Sequence, residues 1–292
     1  MMEEAVKVNN PPIIEKSKKA KFGARERTIS LIVFSTLVIL TTLIIGSNVS
    51  DTDLAVNFSK KNLAPSINHL FGTDWMGRDM FARTMKGITL SIKIGLLSSL
   101  LSGIMALILG IMSATCGKVV DSMISWFVDL VLSVPHILLI ILICFAVGGG
   151  LKGVVIGVAL THWPSLARLI RSEVMQIKYS EYVQISKNFG KTNIYIAKKH
   201  ILPHILPQLL VGTLLIFPHA VLHEASITFL GFGLSPHEPA IGIILSESMK
   251  YLSTGYWWLA FFPGLVLLIA SMMVDTTGQN LRKLINPKTA YK

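Results

Sequence analysis

Means for disulfide bonding are nearly missing from this sequence. Only two cysteines, Cys116 and Cys144, occur in 292 residues, one in a predicted turn and one within an apolar run. No disulfide framework is indicated, and both read as packing residues. Charge is also scarce. Asp, Glu, Lys and Arg make up 15% of the chain, against roughly 25% in an average soluble domain. With 52% hydrophobic residues and a mean hydropathy of +0.61, that scarcity excludes a water-soluble globular protein and points to an integral membrane protein. Alternating barrel-strand patterns are absent, and the apolar runs are continuous and too long for barrel strands. The expected fold class is an all-α membrane protein.

Each spanning helix needs roughly 20 mostly apolar residues, and the chain offers about six such runs. They lie at 29–46, 94–113, 123–146, 151–167, 205–230 and 256–274. The fourth is interrupted by Thr161, His162 and Pro164, so it is expected to pack inside the bundle, where freed backbone groups find protein partners.

Acidic residues number 16 against 27 basic ones, a net charge of +11. Short loops rich in Lys and Arg are retained in the cytoplasm. Lys7, Lys16, Lys18, Lys19, Lys21, Arg25 and Arg27 precede the first run, and Arg168, Arg171, Lys178, Lys187, Lys191, Lys198 and Lys199 follow the fourth. Both groups belong inside, as do the turn at 116–121 and the C-terminal Arg282, Lys283, Lys288 and Lys292. Segments 47–87, 148–150 and 231–255 are left outside, the first carrying Asp51, Asp53, Asp74 and Asp79. The basic balance is then a topological signal and requires no nucleic acid. The organisation is a basic tail at 1–28, a transmembrane domain at 29–274 with a cytoplasmic loop at 168–204, and a tail at 275–292. A long basic region, a first run of spanning length and no small-residue cleavage pattern predict a retained anchor rather than a cleaved signal.

Between the fourth and fifth runs stands a polar, basic island at 180–207. Ser180 suits a helix start and Gly190 a left-handed helix end. Tyr182, Ile185 and Phe189 recur at helical spacing opposite Glu181, Gln184, Lys187 and Asn188. A helix this short is marginal alone and must pack against something. A second helical stretch runs through Ile194, Ala197 and Ile201, and Pro203 and Pro207 are expected to punctuate the return to the membrane. From the pattern alone, packing on the chain's own bundle and docking of a partner are equal readings.

Two catalytic motifs fail on spacing. Gly190-Lys191-Thr192 mimics the end of a phosphate-binding loop, but Ile185 stands where that loop needs its first glycine. His223-Glu224 begins like a zinc-protease motif, yet Ile227 occupies the second histidine position. The chain is expected to be non-catalytic.

The run from Gln184-Ile185-Ser186 through Gly190 to Leu202 and Pro203 resembles the EAA loop of ABC-importer permeases. Gly190, Leu202 and Pro203 keep its spacing; Gln184-Ile185-Ser186 replaces Glu-Ala-Ala and His200 replaces an isoleucine. His69 to Asp79, HLFGTDWMGRD, and the segment from Glu224 to Gly233 with Pro236 and Pro239 are similar to signatures of the peptide/nickel branch, second-subunit type. Asp121, Asp129 and Pro135 fit its third-span region, whereas Trp126 stands at an expected arginine. Within the branch the chain resembles permeases importing metals complexed to the opine metallophore staphylopine.

The resemblance implies a type I importer permease fold of the MetI kind. It implies a second homologous permease, two cytoplasmic ATPases that bind the ATP, an extracellular substrate-binding lipoprotein, and no cofactor on this chain. The ATPase-coupling residues it implies are Tyr182, Gln184, Ile185, Ser186, Phe189, Gly190, Leu202 and Pro203. The expected cargo is a chelated transition metal such as nickel, cobalt or zinc, with di- or oligopeptides as the alternative. A self-sufficient ion-coupled transporter is the other class. It needs midplane ion sites and often internal repeats, whereas no repeat is evident and the membrane charges reduce to Lys93, Asp129, Glu224 and Asp275.

Ionisable residues within spans are candidates for function. His219 and His223, four apart, share a helix face, and with Glu224 they are the candidate translocation-path residues. They stand as possible transient ligands of a metal complex against a reading as hydrogen-bonded packing residues. His136, His162 and Met272-Met273 rank below them.

Overall fold

The computed structural model describes residues 24–50 and 52–285. The topological readings of Lys7, Lys16, Lys18, Lys19, Lys21, Asp51, Lys288 and Lys292 lie outside the described residues. The regular structure of the described residues is helical, with one isolated bridge between Thr73 and Asp79. Among the described residues five helices are long and apolar enough to cross a membrane, or six crossings if one bent pair counts as a single span.

Helix α1, Ala24–Asn48, contains the first predicted run and leaves most of its apolar surface exposed, with Phe34 and Ile44 pointing outward. Helix α2, Met80–Thr115, is much longer than its predicted run. Its 36 residues extend about 54 Å, well beyond a hydrocarbon layer of about 30 Å. Residues 80–87, expected in an external loop, are its first two turns. The cause is local: Asp79 caps the helix by accepting from the Ala82 N–H at 2.9 Å. The small and polar residues along α2 are packing surfaces. A Cβ on Gly95 would stand 2.5 Å from a Val221 methyl, and the Ser102 hydroxyl donates to the Ala159 carbonyl at 2.8 Å. Small residues allow such close helix approach in membranes.

The third predicted run is not one helix. It divides into α3, Lys118–Ser133, and α4, His136–Ala146, bent by 102°. Pro135 forces the preceding Val134 into extended backbone, with ψ 137°. Helix α5, Gly150–Lys178, carries Pro164 without a break and is the most buried crossing, with 67% of its apolar window inside the bundle. Of the interrupting residues, Thr161 and Pro164 are buried, as the pattern predicted, while His162 is half-buried. Asp121 of α3 accepts two hydrogen bonds from Arg171 of α5, each 2.6 Å, and Asp129 pairs with Arg168.

After the island, covered below, α8, Leu202–Phe229, recrosses the bundle with Pro203, Pro207 and Pro218 inside it. The expected punctuation by Pro203 and Pro207 is therefore corrected. A π-helical turn at Ala197–Ile201 precedes Pro203, with the Leu202 N–H bonded to Ala197 O. This wider turn keeps the chain helical where a proline has no N–H to give. The segment 231–255, expected as a loop, holds a twelve-residue helix, α9, Ile241–Leu252, buried along Ile241, Ile244 and Ser248. It is too short to register as a span. Helix α10, Trp258–Ile285, continues past the expected end of the membrane domain, so the described part of the C-terminal tail is helical.

The His69–Asp79 signature forms a clip at the start of α2. Asp74 is 2% exposed. It accepts from the Met76 and Arg78 backbone N–H groups at 2.9 Å and from the Arg78 and Arg83 guanidiniums at 2.7 Å. Arg83 also donates to Glu247 of α9 at 2.9 Å. Gly77 has φ 76°, and a Cβ there would stand 1.8 Å from Asn57 O. Phe71 stacks on Phe262 of α10 at 4.7 Å. The signature thus ties the loop, α2, α9 and α10 together. Cys144 is buried as expected; Cys116 is exposed at the α2 C-terminus, so it is not a packing residue.

Candidate functional site

Two places bring together residues that the fold does not need for its own packing: the island between α5 and α8, and the face shared by α4, α5 and α8. The island opens with α6, Glu181–Asn188, and continues through α7, Asn193–Ile196. Ser180 occupies the N-cap position of α6 without capping it; its hydroxyl donates to Ile177 O at 2.6 Å. Gly190 has φ 75°, the left-handed conformation expected of it, and ends the helix.

One residue fastens α6 to the bundle. Val183 is fully buried, in a core cluster with Ile177, Ile196, Ile201 and Ile205. The apolar stripe faces the other way: Tyr182 is 45% exposed, Ile185 53% and Phe189 79%. The stripe is thus not buried against the chain's own bundle. Lys178, just before α6, donates to Ala114 O of α2 at 2.9 Å, which ties the island to the end of the longest helix.

Ser186 and His200, two of the residues that depart from the EAA pattern, meet. The Ser186 hydroxyl lies 3.0 Å from His200 Nε2, across the turn between α6 and the π-helical segment. The rings of Tyr182 and Tyr195 flank His200 at 5.6 and 6.1 Å. Gln184 is exposed and donates to Tyr179 O at 3.2 Å, while Leu202 and Pro203 open α8. The contact makes the island a braced helical hairpin. Removing either partner is expected to cost about 0.5–1.5 kcal/mol. A cycle of Ser186→Ala, His200→Ala and both together, read by thermal unfolding, should return a coupling of that size; additive losses would deny the brace.

The second place lies within the bundle. His136 begins α4 immediately after the Pro135 bend, His162 sits at the middle of α5, and His223 lies on α8. Their ring centroids are 4.4, 4.7 and 5.2 Å apart, and one nitrogen of each lies within 4.8 Å of the others. His136 Nε2 is 3.2 Å from Thr161 O and His162 Nδ1 is 2.8 Å from Val158 O. A carbonyl can only accept, so these nitrogens carry the protons. His136 Nδ1 and His162 Nε2 keep their lone pairs and are buried without a hydrogen-bond partner among the described residues.

His219 lines an adjoining cavity of about 390 Å³ with His136 and His162. Sequence spacing paired His219 with His223, whereas the structure groups His223 with the two histidines ranked below it. No spacing rule joins residues from three helices, although the Pro135-His136 step and the polar Thr161-His162 break marked both places. Glu224 is wholly buried; one carboxylate oxygen accepts from the Thr228 hydroxyl at 3.1 Å, and the residue does not line this cavity.

The sequence pattern of a family described as binding-protein-dependent transport system inner membrane component matches residues 106–291. The chain is 31% identical over 232 residues to the dipeptide transport system permease protein DppC of Bacillus subtilis, covering 80% of this chain and 72% of that one. It is 33% identical over 232 residues to the oligopeptide transport system permease protein OppC of the same organism, covering 80% and 76%. The DppC of Alkalihalophilus pseudofirmus is 32% identical over 275 residues, 94% of this chain and 88% of that one. Among solved structures, a chain of the MetNI methionine ABC transporter superposes with a TM-score of 0.58 at 19% identity, over 71% of this chain and 98% of that chain.

Proposed function

Because the chain belongs to the family of inner membrane components of binding-protein-dependent transport systems, an ABC-importer permease family, we propose that it forms part of the pore of an ATP-driven importer of small peptides and draws its energy through α6. The observation that carries this reading is the exposed stripe of Tyr182, Ile185 and Phe189 on a helix anchored by buried Val183. A short amphipathic helix with an aromatic anchor suits docking into a cleft of a cytoplasmic ATPase. Its brace to the π-helical turn that leads into α8 and its tie to α2 pass a rotation on to the crossings. The working assembly in this reading contains a second homologous permease, two ATPases and an extracellular substrate-binding lipoprotein, with both termini of this chain in the cytoplasm. ATP is bound by the ATPases; Gly190-Lys191-Thr192 follows a helix and not the strand a phosphate-binding loop requires.

The relatives are named for dipeptides and oligopeptides, and that favours a peptide cargo over the chelated metal that the sequence placed first. The histidine cluster is the one observation that favours the second cargo. Uptake in a strain lacking this chain decides between them. Loss of labelled dipeptide uptake and of sensitivity to a toxic peptide is expected; unchanged peptide uptake with loss of metallophore-dependent nickel uptake would reverse the order.

A further inference from the structure

We propose that His136, His162 and His223, from α4, α5 and α8, form a transient site for a divalent late transition-metal ion beside the cavity that His136 and His162 line. Three features carry it. The ligand type is right: neutral imidazole suits zinc, nickel and copper, and three histidines with no carboxylate among them offer only borderline donors. The lone pairs are unused. Backbone carbonyls of Thr161 and Val158 hold the protons of His136 and His162 on one nitrogen each, the outer-shell arrangement that orients a metal-binding imidazole. The other nitrogens, His136 Nδ1 and His162 Nε2, are buried and have no partner among the described residues. An unmet polar atom within a membrane is costly, and a cation supplies the missing partner for both at once.

The spacing says what kind of site this is. Ligand nitrogens about 2.0–2.1 Å from a tetrahedral zinc stand roughly 3.3 Å from one another. Here one nitrogen of each ring lies within 4.8 Å of the others, so binding an ion draws the rings together. Three imidazoles cover one face of an ion and leave the other open. The spacing, wider than that of a closed set, weakens binding and suits release, as conduction requires. His219, four residues before His223 and on the wall of the same cavity, is the nearest further imidazole along the path. The direction of travel rests on the importer reading; the ligand set does not.

The test uses the assembled transporter, purified without a histidine tag and held in lipid nanodiscs, with cobalt(II) chloride as the probe. One cobalt per copy of this chain is expected, with the visible absorption of a low-coordinate, nitrogen-ligated ion. His162→Gln combined with His223→Gln should weaken binding at least tenfold, whereas His237→Gln should leave it unchanged. ATPase activity and elution volume report whether each variant is folded and assembled. Equal cobalt binding by wild type and the double variant, or no such absorption in the wild type, would overturn the site and leave the importer reading intact. A chain that binds cobalt as expected but never assembles with an ATPase would sustain the site and defeat the importer reading.

Discussion

Phe189→Arg is expected to reduce transport at least 100-fold while the chain still inserts and accumulates in the membrane. Phe189 is 79% exposed, so the substitution removes no core packing and exposed changes of this kind cost the fold little. At an interface the same change is severe. A buried aromatic anchor is worth roughly 2–4 kcal/mol, and an unpaired guanidinium in an apolar cleft adds a desolvation cost; together these exceed the roughly 2.7 kcal/mol of a 100-fold effect. Ile185→Arg should act alike. Val183→Arg differs, because Val183 is in the core, and it should lower the amount of folded protein as well. The measurement pairs uptake with co-purification of the ATPase. Normal uptake and normal co-purification by Phe189→Arg would show that α6 docks nothing.

Asp74→Ala is expected to be the most damaging single change to stability. The carboxylate is 2% exposed and meets two guanidiniums and two backbone N–H groups. Its loss leaves Arg83, whose side chain is 7% exposed, with only Glu247 for its charge. Removing one partner of a buried pair costs about 3–5 kcal/mol, a large share of the roughly 5–15 kcal/mol that holds a typical domain together. Asp74→Asn keeps an oxygen for the Met76 and Arg78 N–H groups and should lose less. Melting temperature in detergent, followed by size exclusion, should rank wild type above Asp74→Asn and Asp74→Ala last. Equal melting of wild type and Asp74→Ala would show that the clip is dispensable.

The number of crossings and the island were legible in the sequence because both depend on composition over long windows. Hydropathy failed where polar residues pack inside the bundle. The first turns of α2 read as a loop although Arg83 and Thr84 are buried there. Helix α9 was hidden by its length and by Glu247 and Lys250. Pro135 broke a run that looked continuous, whereas Pro164 and Pro207 did not break theirs. Neighbouring helices and a π-helical turn decide such outcomes, and neither is visible along the chain. Motif spacing located the island but not the contact between Ser186 and His200. Pairing His219 with His223 by helical period captured one member of a cluster that only the packing of three helices assembles.

The central claim is that this chain does no ATP chemistry itself and takes its energy through α6 from docked ATPases. Reconstituted uptake measures it most directly: proteoliposomes holding the chain with its partner permease and ATPases, loaded inside with ATP and supplied outside with cargo-bound binding protein, with no ion gradient. Uptake is predicted with hydrolysable ATP, and none with a non-hydrolysable analogue or with Phe189→Arg. Accumulation by the chain alone in an ion gradient, without any ATPase present, would contradict it.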